Sequence, residues 1–196
     1  MSTTKANLND IELQELKDFQ TTIKILNCIF SKDGRQIDYY KQPQGSVYDM
    51  KMVINDKYRY HLEIKERQQD MEKYNTLPLS VQKYCNIKDT LSNYKKPAKA
   101  IYISLLNHHL FYIFDLEKID LNNCIIRNWA INDVEYSDAP TIVQVPTIFI
   151  PISQAVCKGS FIELSKNNHI IAVDNADNKQ TTTQTKSTQT TTSTTV

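Results

Sequence analysis

The segment Ser46 to Arg67, SVYDMKMVINDKYRYHLEIKER, alternates apolar and polar residues on both sides of Asn55-Asp56-Lys57. Before the turn, Tyr48, Met50, Met52 and Ile54 share one phase, with Asp49, Lys51 and Val53 on the other. After it, Tyr58, Tyr60, Leu62 and Ile64 share a phase opposite Arg59, His61, Glu63 and Lys65. A period of two marks strands with one face in a core, and Asn-Asp is turn chemistry. The pattern predicts a hairpin with an apolar face and a polar face. If the turn centres near Asp56, Asp49 lies across from Glu63, and Lys65 projects on the same side as Glu63.

Elements arranged around this hairpin follow from composition and spacing. Asn9 or Asp10 is a suitable cap for a first helix, with Glu12 and Glu15 near its positive end. Ile11, Leu13, Leu16, Phe19, Ile23, Leu26 and Phe30 recur at helical spacing, and Ser31-Lys32-Asp33-Gly34 ends the pattern. A strand is expected near Ile37 to Tyr40, then a turn at Gln42-Pro43-Gln44-Gly45. Beyond the hairpin, Glu66 to Asn75 is polar and expected to loop. Thr76-Leu77-Pro78 is expected to open a second helix, whose face is Val81, Tyr84, Cys85, Lys88 and Leu91.

The apolar run Ala100 to Leu105 reads as a buried strand, and Leu110 to Phe114 as another after Asn107-His108. Ile125 to Ile131 and Ile142 to Ile150 are strand candidates, with Pro140, Pro146 and Pro151 arguing for short or peripheral ones. A short helical turn is expected within Ile152 to Phe161. The expected organisation is a flexible N-terminus over 1–8, one domain over 9–173, and a disordered Thr/Gln/Ser-rich tail over 174–196.

Two carboxylates on adjacent strands, about 5 Å apart, suit one hard cation whose shell phosphate oxygens and water complete. Such an ion acidifies a water and neutralises phosphate charge, and a nearby lysine positions that water or stabilises the pentacovalent state. Without a cation the two carboxylates repel, which raises their pKa values. The tripeptide alone is weak evidence, because Glu15-Leu16-Lys17 and Asp49-Met50-Lys51 have the same form. Glu63-Ile64-Lys65 differs from these in having an acidic hairpin partner, a strand and a following helix.

With those residues in place, the chain from Asp10 to Phe114 resembles the PD-(D/E)xK nuclease superfamily. The resemblance implies an α/β restriction-endonuclease-like core (helix, three-strand meander, helix, strand) with added C-terminal strands. It implies a Mg²⁺-dependent DNA endonuclease, Mn²⁺ serving as a substitute, with Asp49, Glu63 and Lys65 catalytic. Metal ligands would be Asp49, Glu63 and the carbonyl of Ile64. Asp49 follows Tyr48 rather than the usual Pro, and no Gln-x-x-x-Tyr element follows the lysine. The latter disfavours the exonuclease branch.

The alternative within the same fold is an inactive DNA-binding or protein-interaction module. A third possibility is an unrelated α/β protein with a solvated polar face. There, ion pairs among Asp49, Lys51, Glu63 and Lys65 contribute only about 0.2–1 kcal/mol each.

Formal net charge is only +1, yet Lys57 to Lys99 contains ten Lys or Arg against five Asp or Glu. That basic middle is compatible with a phosphate-facing side, and Lys51, His61, Arg67 and Lys83 are the candidate DNA contacts. Gln82 and Lys83 on the second helix also fit plain surface exposure. A homodimer is expected, since a minimal core engages both strands as a pair. Cys28, Cys85, Cys124 and Cys157 lack metal-ligand spacing and read as reduced. No apolar run reaches the roughly 20 residues of a membrane span, and the N-terminus lacks a signal-peptide pattern. An intracellular protein, cytoplasmic or nuclear, is the expectation.

Overall fold

A computed structural model describes residues 8–30, 34–68, 75–94, 97–107, 109–133, 141–160 and 171–172. The expected tail over 174–196, Pro140 and His108 lie outside them, as do residues 1–7 of the expected flexible N-terminus. No described helix is long and apolar enough to cross a membrane.

Helix α1 (Leu8–Phe30) runs through 23 residues with no Gly or Pro to interrupt it. It starts ahead of Asn9 and Asp10, so neither caps it. Thr22, Ile25 and Leu26 are buried, flanked by Phe19, Ile23, Ile29 and Phe30. Leu13 and Leu16, expected in the apolar stripe, are instead 55% and 44% exposed. At about 100° per residue, Leu13 sits half a turn round from Thr22.

Three strands follow as an antiparallel meander: β1 (Ile37–Lys41), β2 (Met50–Ile54) and β3 (Tyr58–Arg67). The β2–β3 hairpin turns where the alternation predicts. Asn55 and Asp56 have φ of 50° and 55°, and the Lys57 N–H donates to the Ile54 carbonyl at 3.1 Å. Asn and Asp tolerate this left-handed backbone better than most residues. Strand pairing runs from Ile54 opposite Tyr58 to Met50 opposite Leu62.

After β3 the chain forms β4 (Thr76–Ser80), α2 (Val81–Ser92) and β5 (Ala98–Leu106). β5 pairs parallel to β3, with Glu63 beside Tyr102 and Lys65 beside Ser104. Next come β6 (Leu110–Asp115), β7 (Ile125–Asp133), β8 (Thr141–Pro151), β9 (Cys157–Ser160) and β10 (Ile171–Ala172). The main sheet is mixed, with order β1-β2-β3-β5-β6-β9-β10. A second sheet has order β4-β8-β7.

Thr76-Leu77-Pro78 thus belongs to a strand, not to the start of a helix. β4 is an edge strand, where a missing N–H is tolerated. The Pro78 carbonyl accepts hydrogen bonds from Arg67 Nη2 at 2.7 Å and the Tyr102 hydroxyl at 3.0 Å. Nor do prolines shorten β7 and β8, which span nine and eleven residues. Pro146 lies one residue beyond the stretch of β8 that β4 covers, so only β7 pairs with it. Ile152–Gln154 forms the expected short turn as a 3₁₀ segment.

The main sheet is buried on both faces. On the α1 side, Ile25 and Leu26 pack with Met50, Met52, Leu62, Ile64, Ile103 and Phe111. Opposite, Leu77, Leu79, Ile148 and Ile150 of the second sheet and Ile87 of α2 pack on Ala100, Tyr102, Leu106 and Phe114. Helix α2 is fixed at its start by Ser80, whose Oγ accepts the Lys83 N–H at 3.1 Å. Ser80→Ala is expected to lower stability by about 1 kcal/mol, measured by urea unfolding, because it removes that cap.

Candidate active site between the hairpin and the second helix

The hairpin's polar face is not solvated. His61 and Glu63 are both fully buried: the Tyr48 and Tyr94 rings pack on His61, and Lys83 of α2 reaches Glu63. A surface network of weak ion pairs does not describe this arrangement. The rival expectation of a solvated polar face does not hold for His61 and Glu63, which are buried.

Asp49 lies in a bend one residue before β2. Its N–H donates to the Leu62 carbonyl at 2.9 Å, so Asp49 as well as Met50 lies against Leu62 at the end of the β2–β3 pairing. Its Oδ2 accepts the Ile64 N–H at 2.7 Å. That amide belongs to the peptide joining Glu63 to Ile64, so both acidic residues are tied to one peptide unit. The same bend turns Tyr48 away from Met50. Tyr48 joins the core on the α2 side, although its phase grouped it with Met50.

Both oxygens of Glu63 are buried and have no hydrogen-bond partner of good geometry. Two ammonium groups stand at ion-pair distance. Lys65 Nζ lies 3.2 Å from Oε1, and Lys83 Nζ lies 3.1 Å from Oε2. Burial raises the Glu63 pKa, and Asp49 adds to this, while Lys65 and Lys83 oppose it. Burial works to discharge Lys65, but Glu63 and Asp49 outweigh it and leave that pKa raised. Lys65 is 44% exposed at its side chain and Lys83 26% exposed, so each ammonium also reaches water.

His61 is held by aromatic rings. Tyr48 stacks on it at 4.1 Å between centroids, and Tyr94 meets it edge-on at 4.7 Å. Neither ring nitrogen has a hydrogen-bond partner, and burial, aided by Lys51, lowers its pKa to about 4. A fully buried ring does not reach nucleic acid, so His61 is not a DNA contact. Lys51 is half-buried, its ammonium 5.6 Å from the Tyr40 ring centroid. Arg67 binds Pro78 and lies over Trp129 at 5.8 Å, which joins the two sheets. Glu15 pairs with Lys41 at 3.4 Å on the surface.

Lys83 was expected only as a candidate DNA contact; its ion pair with Glu63 is what sequence reasoning did not foresee. Its signal was Ser80 three residues earlier, a cap that fixes where the helix begins. Among the described residues, no three His, Cys, Asp or Glu side chains converge on one point. A cation here would therefore rest on Asp49, Glu63, a main-chain carbonyl and external oxygens. The under-coordinated Glu63 carboxylate and the oxygen-donor set fit a hard divalent ion.

No family model matches the chain, and no curated protein does. Among solved structures, the chain is similar to Hjc, a Holliday junction resolvase from Archaeoglobus fulgidus. The match has 16% identity and a TM-score of 0.38, covering 53% of this chain and 76% of that one.

Two outcomes are expected from these environments. Glu63→Gln raises unfolding free energy by about 1 kcal/mol or more, measured by urea titration, because the buried charge is removed while both lysines keep access to water. A loss of stability would identify the carboxylate as a net structural asset. His61, whose folded pKa is depressed, binds its proton more readily when unfolded. Its contribution is therefore present above its ordinary pKa and lost as pH falls toward the folded value. Between about pH 7 and about pH 5, the His61 contribution falls by about 2 kcal/mol. His61→Phe is expected to remove that part of the acid sensitivity.

Proposed function

We propose that this chain is a Mg²⁺-dependent deoxyribonuclease with a restriction-endonuclease-like core. The observation that carries this reading is Glu63, a fully buried carboxylate without good hydrogen bonds, beside Asp49 and between two lysines. A merely structural position rarely retains such a charge, because taking a carboxylate out of water costs several kcal/mol. Perturbed, converging ionisable groups are the usual mark of a functional site.

In this reading Asp49, Glu63 and the carbonyl of Ile64 hold the divalent ion. When bound, that ion supplies charge neutralisation at the phosphate and a more acidic water. Asp49 is oriented for the task by the Ile64 N–H, which takes Oδ2 and leaves its other oxygen for a cation. Lys65 is directed by Glu63 Oε1 and positions the attacking water or the charge that develops on the phosphate. Its raised pKa keeps it protonated and suits electrostatic stabilisation better than proton abstraction. DNA is the proposed substrate.

The test is cleavage of plasmid, linear and branched DNA with Mg²⁺ or Mn²⁺. Asp49→Ala, Glu63→Gln and Lys65→Ala are each expected to slow cleavage about a hundredfold or more. Equal cleavage by wild type and all three variants would assign the activity to a contaminant or another site. No cleavage by folded wild type on any of these substrates would favour a module that binds without hydrolysing.

A further inference from the structure

Lys83 is not needed to neutralise Glu63, since Lys65 already occupies Oε1 at 3.2 Å. Its ammonium takes the other oxygen at 3.1 Å from a different element, the first turn of α2. The backbone there is pinned by the Ser80 cap, whereas the side chain is flexible and 26% exposed. Its head group can therefore leave Glu63 for water without moving the helix.

Formal charge makes the departure useful. Asp49, Glu63, Lys65 and Lys83 balance one another. A divalent ion on the same carboxylate needs oxygens at about 2.0–2.6 Å, which sets it close to an ammonium 3.1 Å from Oε2. The two cations repel beside a buried carboxylate, and the repulsion is relieved when the ammonium withdraws or an anion arrives.

Resting on the nuclease reading, we propose that Lys83 is a resident counter-cation of Glu63 that yields to the divalent ion and turns to the incoming phosphate. It is a positioning residue that couples metal binding to substrate binding. While the ion is absent it pairs with Glu63 at 3.1 Å, and once displaced it becomes a cation available to a phosphate oxygen.

The decisive variant is Lys83→Met, which keeps length and removes charge. Titration calorimetry with Mn²⁺ on the full chain is expected to show about tenfold tighter binding than wild type. Unchanged or weaker binding would overturn the proposal, because an ammonium that must yield to the ion opposes its binding. With Ca²⁺ replacing Mg²⁺, the variant is expected to bind duplex DNA several-fold more weakly than wild type, and the two are expected to bind alike in EDTA. Equal DNA affinity in Ca²⁺ would remove the phosphate role.

Should Lys83→Met fail to fold, the wild-type lysine ammonium resonances report instead. The signal absent from Lys83→Arg is expected to shift as Mg²⁺ is added, and a signal that does not move counts against displacement. Failure of the nuclease reading looks different. Wild type then binds no Mn²⁺, or binds it equally after Glu63→Gln, whatever Lys83 does.

Discussion

The arrangement of this molecule turns on one buried carboxylate. Glu63 is the point where the hairpin, the parallel strand beside it and the second helix meet, and it is fully buried there. Transfer of an ionised carboxylate from water is costly, and the fold answers with ammonium groups from β3 and α2. Neither lysine is itself sealed in, so the stabilising charges retain solvation while the carboxylate loses it. The result is an electrostatically loaded centre, held by packing that is apolar on both sides of the sheet.

Topology supplies the coincidence. A parallel partner for β3 requires a crossover, and the crossover here contains both β4 and α2. β4 brings Pro78, whose carbonyl receives Arg67 and Tyr102, so the end of β3 and the middle of β5 are tied to the second sheet. Ser80 closes β4 and caps α2 in a single residue, which sets Lys83 in the first turn, above Glu63. One short stretch thus covers the strand and supplies the second of the two ammonium groups paired with its carboxylate.

Much of the hairpin was legible from the amino acids. Alternation and the Asn-Asp turn specify the pairing register from Ile54 opposite Tyr58 to Met50 opposite Leu62, because a one-residue slip would invert every side chain. Burial of the polar phase was not legible. Period two reports which residues share a face and says nothing about what lies over that face. Thr76-Leu77-Pro78 misled for a related reason, since proline suits both a helix's first turn and an edge strand, and only the partner β8 decides between them. Helical spacing groups Leu13 with the other apolar residues in one stripe, while the packed face is set by Thr22, Ile25 and Leu26.

The two buried ionisable groups on β3 pull in opposite directions, and this separates their roles. Burial favours the uncharged form of both, raising Glu63 and lowering His61. For His61 the consequence is harmless near neutral pH. It remains a neutral aromatic slab between Tyr48 and Tyr94, and its polar atoms contribute little that a phenyl ring would not. For Glu63 the uncharged form would forfeit both lysines, whose positive charge opposes the rise that burial imposes on its pKa. A core built only for stability has no reason to maintain a carboxylate against its own burial. Ammonium groups from two independent elements meet that carboxylate, and this convergence is the observation on which the proposed site rests.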